Sequence, residues 1–417
     1  MVRSLAVVAV LPALLALAAA CGGTPRAAPP SPTAQPSASP TAGFTPLPPL
    51  PAELIDPDSV AERSGGFVLD VRTGKLWWLR DRLGVWSPDE STLLITGCCI
   101  GSGGIQLIDF PSGKATGIYH GDVAAAAWSP DGGRVAFASH GPNGPRDLYV
   151  VNRDGTGIRK LSGVAGWEVG WSPSGDYVAL SAGTGINIFD MSTDEATAVP
   201  DAYAWAWLPN GSSLALASQA GLSIYDIASG ERRQIAEGLA QGAIRLSPDG
   251  SRLALPFGER VALNYGPYAG TPEAGVPPIF VFDLDDPGNP VSLGAVRFPA
   301  WSPGGKRIAY VSEGCITGEW AIFVAAADGS DARRLTNTPN AFKEGPEWSL
   351  DGSTIAFATQ GELALIDVDS GRLTSLLSTE DGGGFHLHAS AWGGGSAWSP
   401  DGRYLHLSAG GGHGVCD

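Results

Sequence analysis

One five-residue pattern recurs eight times along the chain and limits what the chain can fold into. It reads W-S-P-D-E at 86–90, W-S-P-D-G at 128–132, W-S-P-S-G at 171–175 and W-L-P-N-G at 207–211. It continues as L-S-P-D-G at 246–250, W-S-P-G-G at 301–305, W-S-L-D-G at 348–352 and W-S-P-D-G at 398–402. Successive copies start 42, 43, 36, 39, 55, 47 and 50 residues apart. Proline presets φ, aspartate bonds its own backbone and glycine tolerates positive φ, so the pattern specifies a tight turn between antiparallel strands. An apolar or alternating run of strand length follows, as at 134–139 and 306–311. Most repeats add a second glycine-containing turn, clearest at 70–74, 109–113, 226–230 and 367–371. Two hairpins per period give four strands, the content of one β-propeller blade.

The fold predicted is therefore all-β: a single β-propeller of eight four-stranded blades. Seven blades is the fallback, should the divergent repeat near 207 or 246 not form a full blade. The ends of the pattern supply a check on closure. Strand signals at 67–70 and 76–79 have no copy of the motif before them, and the last copy is followed by one strand, 404–408, without room for a second hairpin. Joining the two sets makes one blade from both ends of the chain and leaves no exposed sheet edge. Composition agrees, with 58 glycines, 33 prolines and only 16% charged residues, which suits a turn-rich β protein better than a helical bundle. Asp plus Glu outnumber Lys plus Arg 42 to 26, a net charge of −16, and nothing in that balance would neutralise nucleic-acid phosphates.

The W-S-P-D-G turns followed by apolar strands resemble the WD40-like (PD40) repeats of the TolB and tricorn propellers. The resemblance covers residues 65–417 and implies the fold more firmly than a function, because the motif is a structural turn in that family. Departures are local: Glu90 for Gly, Leu246 for Trp, and no Ser or Asp in 208–210. TolB-like proteins are envelope-associated interaction modules, so the resemblance implies a binding role outside the cytoplasm. The α/β domain that usually precedes the TolB propeller has no counterpart in the linker here, so TolB's own partners are not carried over.

Residues 1–20 carry Arg3 and then an apolar run ending in small residues, the layout of a signal peptide. The junction Leu17-Ala18-Ala19-Ala20-Cys21 resembles a bacterial lipobox, with Ala18 where the pattern prefers Leu, Val or Ile. It implies lipidation of Cys21 and a membrane-anchored lipoprotein on the extracytoplasmic face of the cell envelope. From Cys21 to residue 50 the chain is almost entirely Pro, Ala, Ser, Thr and Gly, a tether that cannot bury a core. The propeller occupies 51–417.

Chemistry-bearing residues are sparse. Seven of the 13 tryptophans hold the repeat position and read as inter-blade packing. Trp77, Trp78, Trp167, Trp205, Trp320 and Trp392 lie off it, and some of these are candidates to line a ligand surface. His386 and His388 alternate along a strand and suggest a metal site, set against their reading as polar loop residues. No cofactor is expected. Cys416 pairs with Cys98 or Cys99 if the first and last blades are ring neighbours; a vicinal 98–99 bridge and free thiols are the alternatives, and Cys315 has no assigned partner. Asp283, Asp285 and Asp286 read as caps of a hairpin turn before they read as a calcium site. No hydrolase or phosphate-loop signature is present. The insert at 256–278, with Tyr265 and Tyr268, and the connection at 378–397, with Trp392, are the expected contact loops. The sequence thus predicts a non-catalytic platform for an envelope protein or glycan. The alternative is a propeller enzyme, lyase- or glycosidase-like, working in the channel. The innermost strands read mostly as Ala, Gly and Trp, which favours binding.

Overall fold

In a computed structural model of the chain, the repeats build eight sheets, one for each copy of the motif. The structure describes residues 52–57, 65–79, 83–89, 92–97, 103–140, 146–162, 166, 168–240, 242–258, 278–294, 296–313, 320–336, 344–359, 361–378, 385–387 and 397–409. The signal, Cys21 and the tether lie outside these residues.

Blade 1 shows the plan. Strand A (Leu83–Trp86), B (Thr92–Gly97), C (Gly104–Asp109) and D (Lys114–His120) pair antiparallel in chain order. Blades 2, 3, 4, 6 and 7 repeat it, with innermost strands Val123–Trp128, Val169–Trp171, Ala204–Trp207, Val296–Trp301 and Glu344–Trp348. In blade 5 the innermost strand is broken into Leu239–Ala240 and Arg245–Leu246, which pair with opposite ends of Arg252–Gly258. Blade 8 joins the two ends of the chain as predicted: Gly65–Asp70 pairs with Tyr404–Ala409 over six residue pairs, and Phe385–Leu387 forms part of its inner edge. All eight blades are present, including the two with divergent motifs. A fifth strand, Glu53–Ile55, adds to the outside of blade 8 beside Leu76–Trp78; the sequence reading has no strand there.

Each motif residue has a task that the structure makes explicit. In blade 2, the Ser129 amide donates to the Arg134 carbonyl (2.8 Å), while the Ser129 hydroxyl accepts the Arg134 amide (2.8 Å) and donates to Asp131 (2.5 Å). Asp131 also accepts the Gly133 amide at 3.0 Å, and Gly132 holds φ at +66°. The Ser129 hydroxyl and then the Gly133 amide keep the Asp131 carboxyl below its usual range. Serines 87, 172, 247, 302, 349 and 399 likewise accept the amide five residues on. In the one copy without that serine, Asn210 takes over and accepts the amides of Ser212 and Ser213.

The repeat tryptophan does more than fill space. Trp128 Nε1 donates to the carbonyl of Val85, the residue just before Trp86 in the preceding blade (3.2 Å). The same bond runs from Trp207 to Gly170, Trp301 to Arg245, Trp348 to Ala300, Trp398 to Glu347 and Trp86 to Ala397. These six bonds form a girdle around the inner edge that ties six of the eight blades to the one before and includes the blade 8 to blade 1 junction. A typical bond of this kind is worth about 1 kcal/mol net. Two positions break the series: Leu246 cannot donate, and Trp171 Nε1 is buried without a partner among the described residues. Arg134 instead lies over the Trp171 ring, 4.8 Å from its centroid. Apolar clusters fill the spaces between sheets, such as Leu94, Ile105 and Ile118 of blade 1 with Trp128, Phe137 and Tyr149 of blade 2.

Candidate binding surface and channel mouth

The up-and-down order of four strands sends the A–B and C–D turns to one face of the ring and the B–C and D–A connections to the other. On the first face the chain is short and closed. Its A–B turns are the serine–aspartate turns described above. Its C–D turns are capped by aspartate: Asp70 accepts the Arg72 amide, Asp190 the Ser192 amide, Asp226 and Asp367 the amides of Ser229 and Ser370. Asp283 accepts the Asp285 amide at 3.0 Å and pairs with Arg252, so the carboxylates there serve the turn.

The opposite face carries the long connections, from Gly258 to Ile279 in blade 5 and from Ser378 to Phe385 on the way into blade 8. Tyr265, Tyr268, Trp392, His388, Cys98, Cys99, Cys315 and Cys416 all lie outside the described residues. His386 falls in the strand Phe385–Leu387, but its side chain lies outside them too. Pro256, Phe257 and Gly258 belong to strand B of blade 5, and Phe257 meets Phe282 edge-to-face at 5.1 Å. The insert beyond the strands is therefore 259–277, shorter than the 256–278 read from sequence.

Two large apolar side chains are exposed on this face, Tyr203 (45%) and Phe298 (44%). Phe298 sits in a bulge of strand Val296–Trp301 with φ +53°, a conformation costly for an aromatic residue. Beside it, Arg297 stacks on Trp320, 4.7 Å from the ring centroid. Trp320 is thus one off-repeat tryptophan with a polar partner near the surface. Trp77 is another matter: it is core, packed edge-on against Phe110 and Tyr404. Tyr203 donates its hydroxyl to the Ala240 carbonyl, linking blade 4 to the broken inner strand of blade 5.

Within the ring, the innermost strands carry charged residues that sequence reasoning passed over, Arg297 of blade 6 and Glu347 of blade 7 among them. Glu168 immediately precedes strand Val169–Trp171 of blade 3, and Arg245 stands in the inner strand of blade 5. Burial raises the Glu168 carboxyl to about 7, against the attraction of Arg245, which lowers it. The signal was present in a run of small and apolar residues interrupted by single charges, but nothing in the spacing joined them. A second polar group lies between blades 1 and 2, and it is internally satisfied. Lys160 Nζ stands 2.7 Å from buried Asp147, the Tyr149 hydroxyl donates to the same carboxylate, and Tyr119 and Ser139 pair at 2.8 Å. Burial and then the charge of Asp147 push the Tyr149 phenol up to about 12. Among the described residues no group of three or more His, Cys, Asp or Glu is placed to hold a metal.

Comparison with solved structures gives the same architecture. The chain is similar to the dihydro-heme d1 dehydrogenase NirN, solved in complex with DHE (TM-score 0.56, 16% identity, 80% of this chain and 76% of that). It is also similar to Porphyromonas gingivalis dipeptidyl peptidase 4 (TM-score 0.55, 15% identity), covering 75% of this chain and 55% of that. TolB from Acinetobacter baumannii aligns over 70% of this chain and 77% of that, with 17% identity and a TM-score of 0.35. No protein-family model and no curated protein matches the chain. At these identities the likeness speaks for the fold alone. It agrees with the eight-bladed β-propeller that the repeated W-S-P-D-G hairpins build.

Proposed function

We propose that the protein is an extracytoplasmic lipoprotein whose propeller is a rigid, non-catalytic platform for an envelope protein or glycan. In this reading the Cys21 lipid anchors it, the tether to residue 50 lifts it from the membrane, and the loop-bearing face makes the contact. The observation that carries it is the division of labour between the two faces. One is closed by local hydrogen bonds in every blade. The other gathers the long connections on a scaffold whose blades are tied by the tryptophan girdle, and loops on rigid scaffolds are where recognition sits. The anionic chain directs it towards partners other than nucleic acid.

The test is crosslinked capture from intact cells, comparing the full protein with a variant in which residues 259–277 are replaced by a short glycine–serine linker. Loss of specific adducts with the fold intact supports the reading. An unchanged set of adducts removes this loop from the contact surface.

A further inference from the structure

Arg297 and Phe298 stand side by side in the bulge of strand Val296–Trp301, on the loop-bearing face of blade 6. Arg297 opposes Val311 and Val311 opposes Ile322, so Trp320, two residues before Ile322, lies on the same side of the sheet. The arginine reaches across strand Arg307–Glu313 and lays its guanidinium over the indole, 4.7 Å from the ring centroid. Both side chains are half-buried, and Trp320 packs in turn against the apolar cluster between blades 6 and 7, which holds the platform still. Stacking uses the flat of the guanidinium and leaves the N–H groups on its rim. Those groups make no hydrogen bond or ion pair with a described residue. On the closed face, by contrast, Arg252, Arg307 and Arg403 each hold a carboxylate, of Asp283, Asp369 and Asp70.

The neighbouring residue is strained and uncovered. Phe298 and Pro299 oppose Tyr310 alone, and Phe298 has φ +53° with 44% of its surface exposed. Glycine takes that conformation freely, whereas an aromatic residue does so at a cost, and the proline after it narrows the choice further. With the ring turned to solvent, packing offsets little of the cost. Strain of this kind clusters at ligand clamps. A fork of donors calls for a planar carboxylate, and an exposed ring one residue away calls for a flat apolar surface. We propose that this bulge is a binding site for a small acid whose carboxylate is borne on a flat apolar ring, the carboxylate taken by Arg297 on its Trp320 platform and the ring by Phe298.

The site stands on blade 6 alone and goes beyond the platform reading. It uses no residue of the insert at 259–277, so loss or retention of macromolecular adducts when that insert is replaced leaves it untouched. Failure to bind a small acid, in turn, leaves the role of the insert untouched.

Ligand-observed NMR on the intact protein tests the site, with benzoate as probe, benzamide as its neutral isostere and acetate as the carboxylate without a ring. Benzoate is expected to bind and benzamide not, and acetate should bind about tenfold more weakly than benzoate. Arg297→Gln should weaken benzoate at least about tenfold through loss of the charge-assisted fork, and Arg297→Lys should do the same because an ammonium keeps the charge without the fork. Phe298→Gly should also weaken benzoate about tenfold, yet leave the melting temperature no lower, since glycine relieves the strain at φ +53°. Arg307→Gln, at the closed face and paired with Asp369, should leave binding unchanged. Circular dichroism melts of each variant establish that it is folded. No saturation transfer from benzoate, equal binding of the amide or of acetate, undiminished binding in folded Arg297→Gln, Arg297→Lys or Phe298→Gly, or loss of binding in folded Arg307→Gln would each overturn the proposal.

Discussion

Arg403 places Nε 3.0 Å and Nη2 2.8 Å from one oxygen of Asp70, a residue 333 positions earlier in the chain. The carboxylate of Asp70 is wholly buried, and it also accepts the amides of Arg72 and Thr73. Burial would raise its pKa, but the guanidinium and the two amides more than offset this and hold it below the usual range. One amide bond reinforces the pair, from Val71 to the Arg403 carbonyl at 3.0 Å. This is the seam where the ring closes, and it lies in a turn of the motif rather than in an added device.

Breaking that seam leaves a buried charge without its partner. Arg403→Met is expected to destabilise the protein measurably, because it leaves the buried Asp70 carboxylate without its counter-charge. Asp70→Asn in the same background should recover part of the loss. Chemical denaturation of the three proteins measures both steps. The sign with pH follows from the depressed pKa. Stability from this pair is present above the ordinary carboxylate range and is lost as pH falls through the lowered value.

The tryptophan girdle makes a differential prediction. Trp348→Phe removes a bond to the Ala300 carbonyl and should cost about 1 kcal/mol beyond the lost ring volume. Trp171→Phe removes an N–H that has no acceptor and should cost less. Equal penalties in urea titrations would show that packing alone accounts for the repeat tryptophan.

Turns of the closed face differ in how much room their glycines have. Gly250 has φ +71°, and a Cβ there would stand 2.2 Å from the Pro209 ring of the preceding turn. Gly402 has φ +66° with nothing nearer than 3.8 Å. Gly402→Ala should cost about 1 kcal/mol from backbone strain, and Gly250→Ala distinctly more because the turns also stack on one another. Thermal melts of the two variants give the comparison.

Glu168 gives the stability of the fold a pH dependence of its own. Its pKa is raised in the folded state to about 7, so its favourable contribution is present below the ordinary value near 4.5 and is lost as pH rises through about 7. The protein should therefore lose up to about 3 kcal/mol relative to Glu168→Gln between pH 4.5 and pH 8, a shift of one unit being worth 1.36 kcal/mol. Parallel stability–pH curves for the two proteins would contradict the assignment.

The turns and the ring closure were legible in the sequence because their causes are local and repeated. A serine that accepts an amide five residues on, and a glycine at positive φ, leave the same signature each time. What joins the blades was less legible. The acceptors of the tryptophan bonds are backbone carbonyls of a neighbouring repeat, and a carbonyl has no letter of its own. Strand Glu53–Ile55 is three residues long, too short for a periodic pattern, and it is recognised only by its pairing with Leu76–Trp78. Glu168 and Arg245 come from different repeats, and only the curvature of the ring brings them under each other's influence. Blade 5, whose inner strand is broken between Ala240 and Arg245, is also the blade whose motif departs at Leu246, where the girdle loses its donor.

The division between a closed face and a contact face is tested most directly by site-specific photocrosslinking in intact cells. Phe298 and Tyr203 on the loop-bearing face, and Leu350 in an A–B turn of the other face, are similarly exposed at 44%, 45% and 46%, so exposure does not bias the comparison. A photoreactive residue at 298 or 203 should yield specific adducts, and one at 350 should yield none above background. Adducts that form equally at all three positions, or only at 350, would contradict the account.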